Sequence, residues 1–463
     1  MTEPASAVLS PASAPSTLPP GPPGWPLLGH LPHLRSEGLL PFLERSWRRY
    51  GDVFSVNLGF PVVVIAHPEG IKRVLAGNAK NYVKGKTYDG VRRVIGNGLL
   101  ALEGEAWKSR RALVQPAFHR QALGKLTEAM VETGARHFDA LRARHGAEPF
   151  ELDAHRDMVE LTLDVVVAAL FGKELTEAAH VSYEALGAAL DLVSKQSNGL
   201  VLPRWVPTPG NRRFHRTMQE VEGAVYRVIA AGRKGGAGEG TLLSMLLDSK
   251  DASTGEFLSD RDARDEVFTM FVAGHETTAL TLTWLFTLLD GRPDVLGKMK
   301  AEVDTALGDR DPRFEDVPKL TYLRQVVDET LRLRGPVAMN ARTAVADDEL
   351  MGKRIRKGDV VMPFFHGLHR HPSFWAAPEQ FDPERFSPQQ SQGRDAWSYL
   401  PFAGGQRQCI GNTFSLVETV VLLAQLLRRF ELEIAPGQNR VKQVAVVTVR
   451  PDRPVMITLR PRR

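Results

Sequence analysis

The pattern of apolar and polar residues divides the chain into an early mixed block, a long helical block and a late block of short strands. Helical spacing over Leu39–Tyr50 is followed by two valine-rich runs, Val53–Leu58 and Pro61–Ala66, which predict a β-hairpin. From about residue 104 to residue 330 the apolar residues recur with a helical period. The later predicted elements are one helix, Thr413–Arg429, and the strands Thr343–Ala346, Val360–Phe364, Val444–Val449 and Val455–Leu459.

This order of elements predicts a mainly α fold with a smaller β lobe. We expect residues 19–463 to form a single domain, after a disordered lead over residues 1–18 that is rich in small residues and proline. The predicted α-rich lobe is drawn mainly from residues 104–335 and 410–430. The predicted β-rich lobe is drawn mainly from residues 50–66, 336–365 and 440–463.

One stretch, Val267–Leu289, is almost continuously apolar and could be a membrane span or a buried core helix. His275, Glu276 and several threonines lie near its middle, and ionisable groups within a bilayer are costly. We therefore predict a buried helix and no membrane span. The first residues also lack the basic start and apolar run of a signal peptide, so we expect a cytoplasmic protein.

Composition and charge exclude several classes of protein. The 463 residues include one cysteine, so internal disulfides and four-thiolate zinc or iron–sulfur sites are excluded. The net charge of +5 is mild for this length and is not gathered into a basic stripe, so no nucleic-acid partner is expected. The charge is compatible with an acidic protein partner.

The single cysteine, Cys409, lies in a glycine-rich segment directly before an apolar helix. A lone cysteine is usually a small buried apolar residue, but unpaired N–H groups at a helix N-terminus favour a thiolate. Gly405 and Gly411 allow sharp turns and a close approach to a large flat group, and Arg407 could meet an anion. On these grounds Cys409 is either a nucleophile or a metal ligand.

The segment Phe402–Gly411 fits F-x-x-G-x-R-x-C-x-G, and this run resembles the haem-binding signature of the cytochrome P-450 family. The resemblance implies the cytochrome P-450 fold, in which a long central helix lies over a buried haem b. It implies that Cys409 is the thiolate ligand of the haem iron and that Arg407 pairs with a haem propionate. Phe402 and Gly411 fill the remaining cofactor-binding positions of the signature.

A second candidate site is Ala273–Thr278, inside the apolar helix. A threonine hydroxyl can bond the carbonyl four residues back, so Thr277 is predicted to bond Ala273 and loosen the helix. Glu276 and Thr277 could then join a proton relay, or they could be a satisfied polar patch in a core helix. The segment resembles the family's A-G-x-(D/E)-T pattern, which assigns both residues to oxygen activation and proton delivery.

Other charged residues acquire roles through the same resemblance. Glu329 and Arg332 lie three residues apart on one helix, and the family's pattern adds Arg385 to form a buried structural triad. Three further cofactor-binding residues, assigned to the haem propionates, are Trp107, Arg111 and Arg342. The histidine cluster His366, His369 and His371 could suggest a metal, but its spacing fits no usual ligand set.

The resemblance implies a soluble, bacterial-type haem-thiolate monooxygenase that inserts one oxygen atom of O2 into an apolar substrate such as a lipid, terpenoid, steroid or polyketide. Electrons would come from NAD(P)H through a reductase and a ferredoxin or flavodoxin, with Lys108 and Arg110 near the partner-facing side. We expect a monomer. The alternatives are a peroxide-using or isomerising enzyme of the same fold and a non-enzymatic haem sensor or carrier. Predicted pocket segments are Lys84–Ala101, Leu192–Pro207, Phe268–Thr277 and Val337–Met339.

Overall fold

The computed structural model describes residues 18–172, 206, 208–236, 241–250 and 255–462. The predicted lead, apart from Leu18, and the predicted pocket segment Leu192–Pro207, apart from Val206, lie outside these residues. The α-helices formed by the described residues, numbered α1 to α15, are Leu31–Glu37, Leu39–Tyr50, Pro68–Lys72, Asp89–Ile95, Gly104–Val114, Arg120–His145, Ala154–Phe171, Pro209–Ala231, Leu242–Asp248, Asp260–Leu289, Pro293–Leu307, Thr321–Arg334, Phe365–Leu368, Pro388–Ser391 and Asn412–Arg429.

The β-strands of the described residues are short. Numbered β1 to β12, they are Val53–Asn57, Pro61–Ile65, Tyr82–Val83, Phe150–Asp153, Arg342–Ala344, Asp348–Leu350, Lys353–Ile355, Val360–Pro363, Phe430–Ile434, Gln443–Ala445, Val449–Pro451 and Met456–Pro461. One sheet has the order β1-β2-β8-β5-β3, and another has the order β4-β12-β9. Two hairpins, β6-β7 and β10-β11, stand apart from these sheets.

The long helix α10 passes through both large apolar clusters of the protein. Its first half, around Val267–Phe271, packs with residues of α7, α8 and α9. Its second half, from Ala279 to Leu289, packs with residues of α12 and α15. Ser259 caps its N-terminus by accepting a hydrogen bond from the backbone N–H of Asp262. The helix is therefore fixed on several sides, which makes it a rigid base for the polar residues near its middle.

The prediction of a buried helix over Val267–Leu289 is confirmed, because most of its side chains are buried in the protein interior. Among the described residues, no helix combines the length and the apolar character that crossing a bilayer requires. The predicted hairpin near residue 59 is also confirmed: β1 and β2 are antiparallel, with Val53 opposite Ile65. The division into two lobes within one domain stays a prediction.

Two predicted features of the chain are corrected. Residues 104–330 are not wholly helical, because Phe150–Asp153 forms β4 and pairs with β12. The predicted strand Val444–Val449 is instead a hairpin, in which β10 and β11 flank a turn at Val446–Thr448. The run consists of valines and a threonine, which favour strands, and one alanine, and it contains no glycine or proline, so nothing in the local sequence marks the turn.

Candidate functional site

The Cys409 segment is a tight loop that leads into α15. Gly405–Arg407 forms a single 3₁₀ turn, and the backbone N–H of Cys409 donates to the carbonyl of Phe402 over 3.0 Å. Gly411 is the N-cap of α15, so the thiol lies just before the unpaired N–H groups of that helix. The loop therefore holds the sulfur in a fixed position beside a helix N-terminus, as the sequence predicted.

Gly405 and Gly411 in this loop differ in whether the protein itself requires a glycine at the position. Gly405 has a φ of +70°, and a Cβ there would lie 2.0 Å from the carbonyl oxygen of Leu75. The close approach at Gly405 is therefore to the protein's own backbone. A Cβ at Gly411 would lie 3.8 Å from Phe118, which is ordinary contact. Protein atoms alone leave room for a side chain at Gly411, so a demand for glycine there would come from a group bound in the adjacent cavity.

The protonation of Cys409 departs from the sequence-based expectation. The side chain is exposed to a cavity but lies deep in the protein, and this burial raises the pKa of the thiol above its usual value. The backbone N–H of Gly411 and the charge of Arg111 act in the predicted direction and lower the pKa, but burial outweighs them. A metal ion bound at the sulfur would reverse the balance, because coordinated thiols lose their proton.

Cys409 and Thr277 open into the same cavity, which has a volume of about 480 Å³. Its walls are mostly apolar, with contributions from α4, α5, α7 and α10, the Cys409 loop and the turn between β10 and β11. The predicted site residues on its walls are Trp107, Arg111, Glu276, Thr277, Phe402, Arg407, Cys409 and Gly411. The structure thus brings eight of the nine predicted site residues to one cavity, and Arg342 is the exception.

The acid and the alcohol on α10 have different partners. The Thr277 hydroxyl donates to the carbonyl of Ala273 over 2.9 Å, which confirms the predicted bond within the helix. Glu276 accepts a hydrogen bond from the Thr448 hydroxyl over 3.0 Å and forms an ion pair with Arg450. Thr448 and Arg450 were missed by the sequence analysis, because they lie far along the chain in a segment without a recognisable motif.

Arginine side chains gather at one end of the cavity. Arg407 pairs with Glu103 over 2.6 Å and lies 3.8 Å from the centre of the Trp107 ring. Arg111 donates to the carbonyl of Gln408, next to the thiol. Arg342 is buried behind the wall of the cavity, where it donates to the backbone of its neighbour Ala341 and to the side chain of Asn340, which lines the cavity.

Lys84 adds a further cation that the sequence analysis placed only in a pocket segment. The side chain is 5% exposed, and burial lowers the pKa of Lys84 to about 7, with smaller contributions from Arg407 and Arg342. Burial also lowers the pKa of Arg407 to about 10, although Glu103 opposes the shift. Several cations close to a single carboxylate leave an excess of positive charge. Binding of an additional anion would therefore stabilise this site. The donor set therefore fits a flat group with a metal at its centre and carboxylates at its edge.

The residues predicted to face a protein partner differ in exposure. Lys108 is exposed and pairs with Glu105. Arg110 is buried and pairs with Glu266 over 2.9 Å, so its predicted position on a partner-facing surface is wrong. The reason is helical geometry: Trp107, Arg110 and Val114 lie three and four residues apart on the inner face of α5.

The histidine cluster is engaged in structural contacts. His369 accepts a hydrogen bond from the backbone N–H of Leu400 over 2.9 Å. His366 lies 3.5 Å from Glu44, and His371 lies 3.1 Å from Asp52. Within the residues that the structure describes, no three histidine, cysteine or acidic side chains are grouped so as to hold a metal ion.

The predicted triad is present, with Glu329 and Arg332 fully buried and Arg385 nearly so. Arg332 donates to both oxygens of Glu329, over 2.6 and 2.8 Å, and Arg385 lies 3.4 Å from the same carboxylate. Arg332 also donates to the backbone carbonyls of His369, Pro378 and Gln380. The side chain therefore joins α12 to the irregular segment that precedes the Cys409 loop.

Glu418 is an acid that the sequence analysis missed. It lies on α15 with no exposed surface and no well-formed hydrogen bond, and burial raises its pKa to about 8. The nearby Thr278 hydroxyl only partly offsets this shift. Glu418 is therefore mostly protonated in the folded protein at neutral pH, whereas an unfolded chain would release the proton at about pH 4.5.

We expect Glu418→Gln to stabilise the protein increasingly as the pH rises. The contribution of the protonated Glu418 to the unfolding free energy of the wild type is fully present below about pH 4.5. It is lost as the pH rises to about 8, because Glu418 ionises only in the unfolded state in this window. The gain in unfolding free energy between pH 4.5 and pH 8 should be on the order of 4 kcal/mol. Denaturant unfolding between pH 4.5 and 8 measures it, with the exposed Glu433→Gln as control. A gain that does not vary with pH would contradict the assignment.

Comparison with known proteins decides the family. The family model described as Cytochrome P450 matches residues 19–459, which is nearly the whole chain. The chain belongs to the cytochrome P450 family. The resemblance noted in the Cys409 segment is thereby confirmed, and so is the predicted mainly α fold of this family.

Relatives and solved structures agree with this membership. Cyclooctat-9-en-7-ol 5-monooxygenase from Streptomyces melanosporofaciens is 35% identical over 433 residues, covering 92% of each chain. Pentalenene oxygenase from Streptomyces avermitilis is 29% identical, covering 94% of this chain and 95% of that one. The crystal structure of the cytochrome P450DA heme domain superposes with a TM-score of 0.86 at 28% identity, covering 96% and 98%. This cytochrome P450 is a monooxygenase, and its family implies a haem cofactor and O2.

Proposed function

We propose that this cytochrome P450 inserts one oxygen atom of O2 into a cyclic terpenoid. The observation that carries the proposal is the mostly apolar cavity of about 480 Å³ into which both Cys409 and Thr277 open. An apolar cavity with few polar groups favours a hydrocarbon-like ligand. Two relatives whose names refer to terpenoid substrates support this class over lipids, steroids and polyketides.

The cofactor we propose is haem b, with Cys409 as the ligand of its iron. Trp107, Arg111 and Arg407 line the cavity and would hold the propionates, Arg342 would act on them by its charge from behind the cavity wall, and Phe402 and Gly411 would lie against the ring. Haem with a thiolate ligand supplies the electron density that favours cleavage of the O–O bond. The excess of cations around Glu103 supports this arrangement, because two propionates would neutralise it. Lys84 is a further candidate for a propionate contact.

The protein's own contribution to the reaction is to move protons. Thr277 presents a hydroxyl to the cavity while bonded to Ala273, and Glu276 lies beside it in the same turn of α10. An acid that exchanges protons with solvent and an alcohol that passes them on form a relay into an otherwise apolar space. We therefore assign Glu276 and Thr277 to proton delivery.

Electrons are proposed to come from NAD(P)H through a reductase and a separate ferredoxin or flavodoxin. The exposed Lys108 and the net charge of +5 support an acidic partner of this kind. We further propose that the enzyme acts as a monomer and works in the cytoplasm, where NAD(P)H and such partners are available.

A screen of ligand binding to the haem protein tests the proposed substrate class. Ferric holoenzyme is titrated with pentalenene, with cyclooctat-9-en-7-ol, and with fatty acids and steroids of similar size, and the haem absorption is followed. A cyclic terpenoid should give the largest spectral shift and a hydroxylated or epoxidised product. A screen in which only fatty acids or steroids shift the spectrum would contradict the terpenoid assignment.

Thr277→Ala should divert electrons from product to hydrogen peroxide. Product formed per electron is expected to fall about tenfold or more, because one proton-transfer group is lost, while haem content and terpenoid binding stay unchanged. The measurement is product and peroxide formed per NADPH consumed. Thr283→Ala is the matched control, because its hydroxyl makes the same bond to the carbonyl four residues back but does not line the cavity. Equal peroxide yields for both variants would refute the relay.

A further inference from the structure

A second cavity, of about 230 Å³, lies between α4, α8 and the first two turns of α10. This polar pocket has walls formed by charged and polar side chains and one glycine. Among the described residues, none lines both the polar pocket and the cavity of Cys409. Helix α4 separates the two, because Val91 and Ile95 line the Cys409 cavity whereas Arg92 and Arg93 line the polar pocket. The pocket is therefore a separate site that the proposed oxygenation does not use.

The walls of the polar pocket carry more positive than negative charge. Two carboxylates lie on walls that also carry four guanidinium groups, those of Arg92, Arg93, Arg261 and Arg264. Both carboxylates, of Glu222 and Asp265, pair with the same arginine, Arg264. Arg92 pairs over 2.9 Å with Asp89, an exposed acid that does not line the pocket. A bound anion would reduce the remaining excess of positive charge and would therefore be stabilised there.

The inner wall of the polar pocket is held in a fixed geometry. The Arg264 side chain is 8% exposed, lies 4.0 Å from the centre of the Phe268 ring and donates to Asp265 over 2.7 Å. Asp265 also accepts a hydrogen bond from the backbone N–H of Asn97 over 2.7 Å, which joins the end of α4 to α10. A Cβ at Gly96 would lie 2.2 Å from the Asp265 carboxylate, so the two helices approach as closely as a glycine allows. A wall that is already ordered loses little conformational entropy when a ligand binds.

The outer wall of the polar pocket offers donors to a ligand from solvent. Arg261 is exposed and, within the part of the chain that the structure describes, has neither an ion-pair partner nor a hydrogen bond. It precedes Arg264 by three residues on α10, so the two guanidinium groups lie on one face of the helix. Tyr226 of α8 is 40% exposed and adds a phenol hydroxyl. Guanidinium groups present paired N–H donors that match the oxygens of a phosphate group.

We propose that the polar pocket is a binding site for a phosphate-bearing anion, either inorganic phosphate or diphosphate or the phosphate group of an organic molecule. An apolar ligand is disfavoured there, because it would take the guanidinium groups out of water without pairing them. The volume of about 230 Å³ also lies below the range of about 300–1,000 Å³ that is typical of sites for larger organic ligands. The inference does not rest on the proposed terpenoid substrate.

Calorimetric titration of the holoenzyme with inorganic diphosphate tests this site. The haem-loaded protein is used because its propionates neutralise the cations beside Cys409, and the buffer contains about 0.15 M KCl and no phosphate. One diphosphate should bind per chain, about tenfold more tightly than phosphate, because it can reach an additional guanidinium group. The haem absorption should not change. Methyl phosphate distinguishes the sources: it should match phosphate if the site takes esters and should fail to bind if the site takes only the inorganic anion.

Two variants and a matched control locate the bound diphosphate. Arg261→Gln should weaken binding about tenfold or more, because a charge-assisted hydrogen bond is lost, and it removes no ion pair of the folded protein. Tyr226→Phe should weaken binding by a smaller factor, since its hydroxyl is a neutral donor. Arg227→Gln is the control: Arg227 is exposed beside Tyr226 on α8 but does not line the pocket, so its loss should change the affinity less than about twofold.

Three outcomes would overturn the inference. The first is a wild-type holoenzyme that takes up no diphosphate, or takes up several ions per chain without saturation. The second is an equal loss of affinity in Arg261→Gln and Arg227→Gln, which would mean a diffuse attraction to a basic surface. The third is a change in haem absorption that follows the same saturation curve as the heat, which would place the anion in the cavity of Cys409.

Discussion

Cys409→Ser should abolish monooxygenase turnover, with a loss of about three orders of magnitude or more, equivalent to about 4 kcal/mol of activation free energy. The hydroxyl is nearly isosteric with the thiol, so the loop and the first turn of α15 should fold as before. It is, however, a much weaker donor of electron density than a thiolate. The sequence contains no second cysteine, so no neighbouring thiol can take its place.

The carbon monoxide difference spectrum measures this change directly, together with haem content and product formation. The serine variant should lose the thiolate signature even where some haem is retained. Gln406→Ala is the matched control, because Gln406 is exposed in the same loop and does not line the cavity. A serine variant with the wild-type spectrum would show that Cys409 is not the ligand.

Arg332→Ala should destabilise the folded protein by about 3–5 kcal/mol, because it leaves the carboxylate of Glu329 buried without its main partner. The same change removes hydrogen bonds to three backbone carbonyls in the segment before the Cys409 loop. Arg332→Lys should recover little of the lost stability, since an ammonium group cannot reproduce the two parallel hydrogen bonds to Glu329. Denaturant unfolding and haem retention are the measurements.

An exposed ion pair on a neighbouring helix provides the control. Lys298 of α11 pairs with Glu384, and the two side chains are 58% and 42% exposed. Lys298→Ala is expected to cost less than about 1 kcal/mol, because solvent screens the pair. Equal losses for Arg332→Ala and Lys298→Ala would mean that the buried triad does not fix the segment before the Cys409 loop.

Local chemistry explains which parts of the site were predictable from sequence. The Cys409 segment contains the proposed ligand, an arginine and the glycines within ten residues, and the bond between Thr277 and Ala273 follows from helix geometry alone. Glu329 and Arg332 are three residues apart on one helix, so their pairing could also be predicted from the sequence. In each case the interacting groups lie within a few residues of one another.

The missed features join segments that are distant in sequence. Arg450 and Glu276 are 174 residues apart, and no periodicity in either segment points to the other. The burial of Arg110 depends on Glu266, 156 residues away, since an arginine enters the interior only with a partner. The raised pKa of the Cys409 thiol likewise depends on how deeply the fold buries it, whereas its sequence neighbours favour the opposite shift.

The pairing of β4 with β12 has a consequence for synthesis in the cell. Asp153, at the end of β4, accepts a hydrogen bond from Val455, 302 residues later. At translation rates of about 5–20 residues per second, β4 leaves the ribosome roughly 15–60 s before its partner exists. During that interval its edge is unpaired, and such edges invite aggregation. Nascent chains stalled between these two strands should therefore recruit chaperones more strongly than chains released after β12 has emerged.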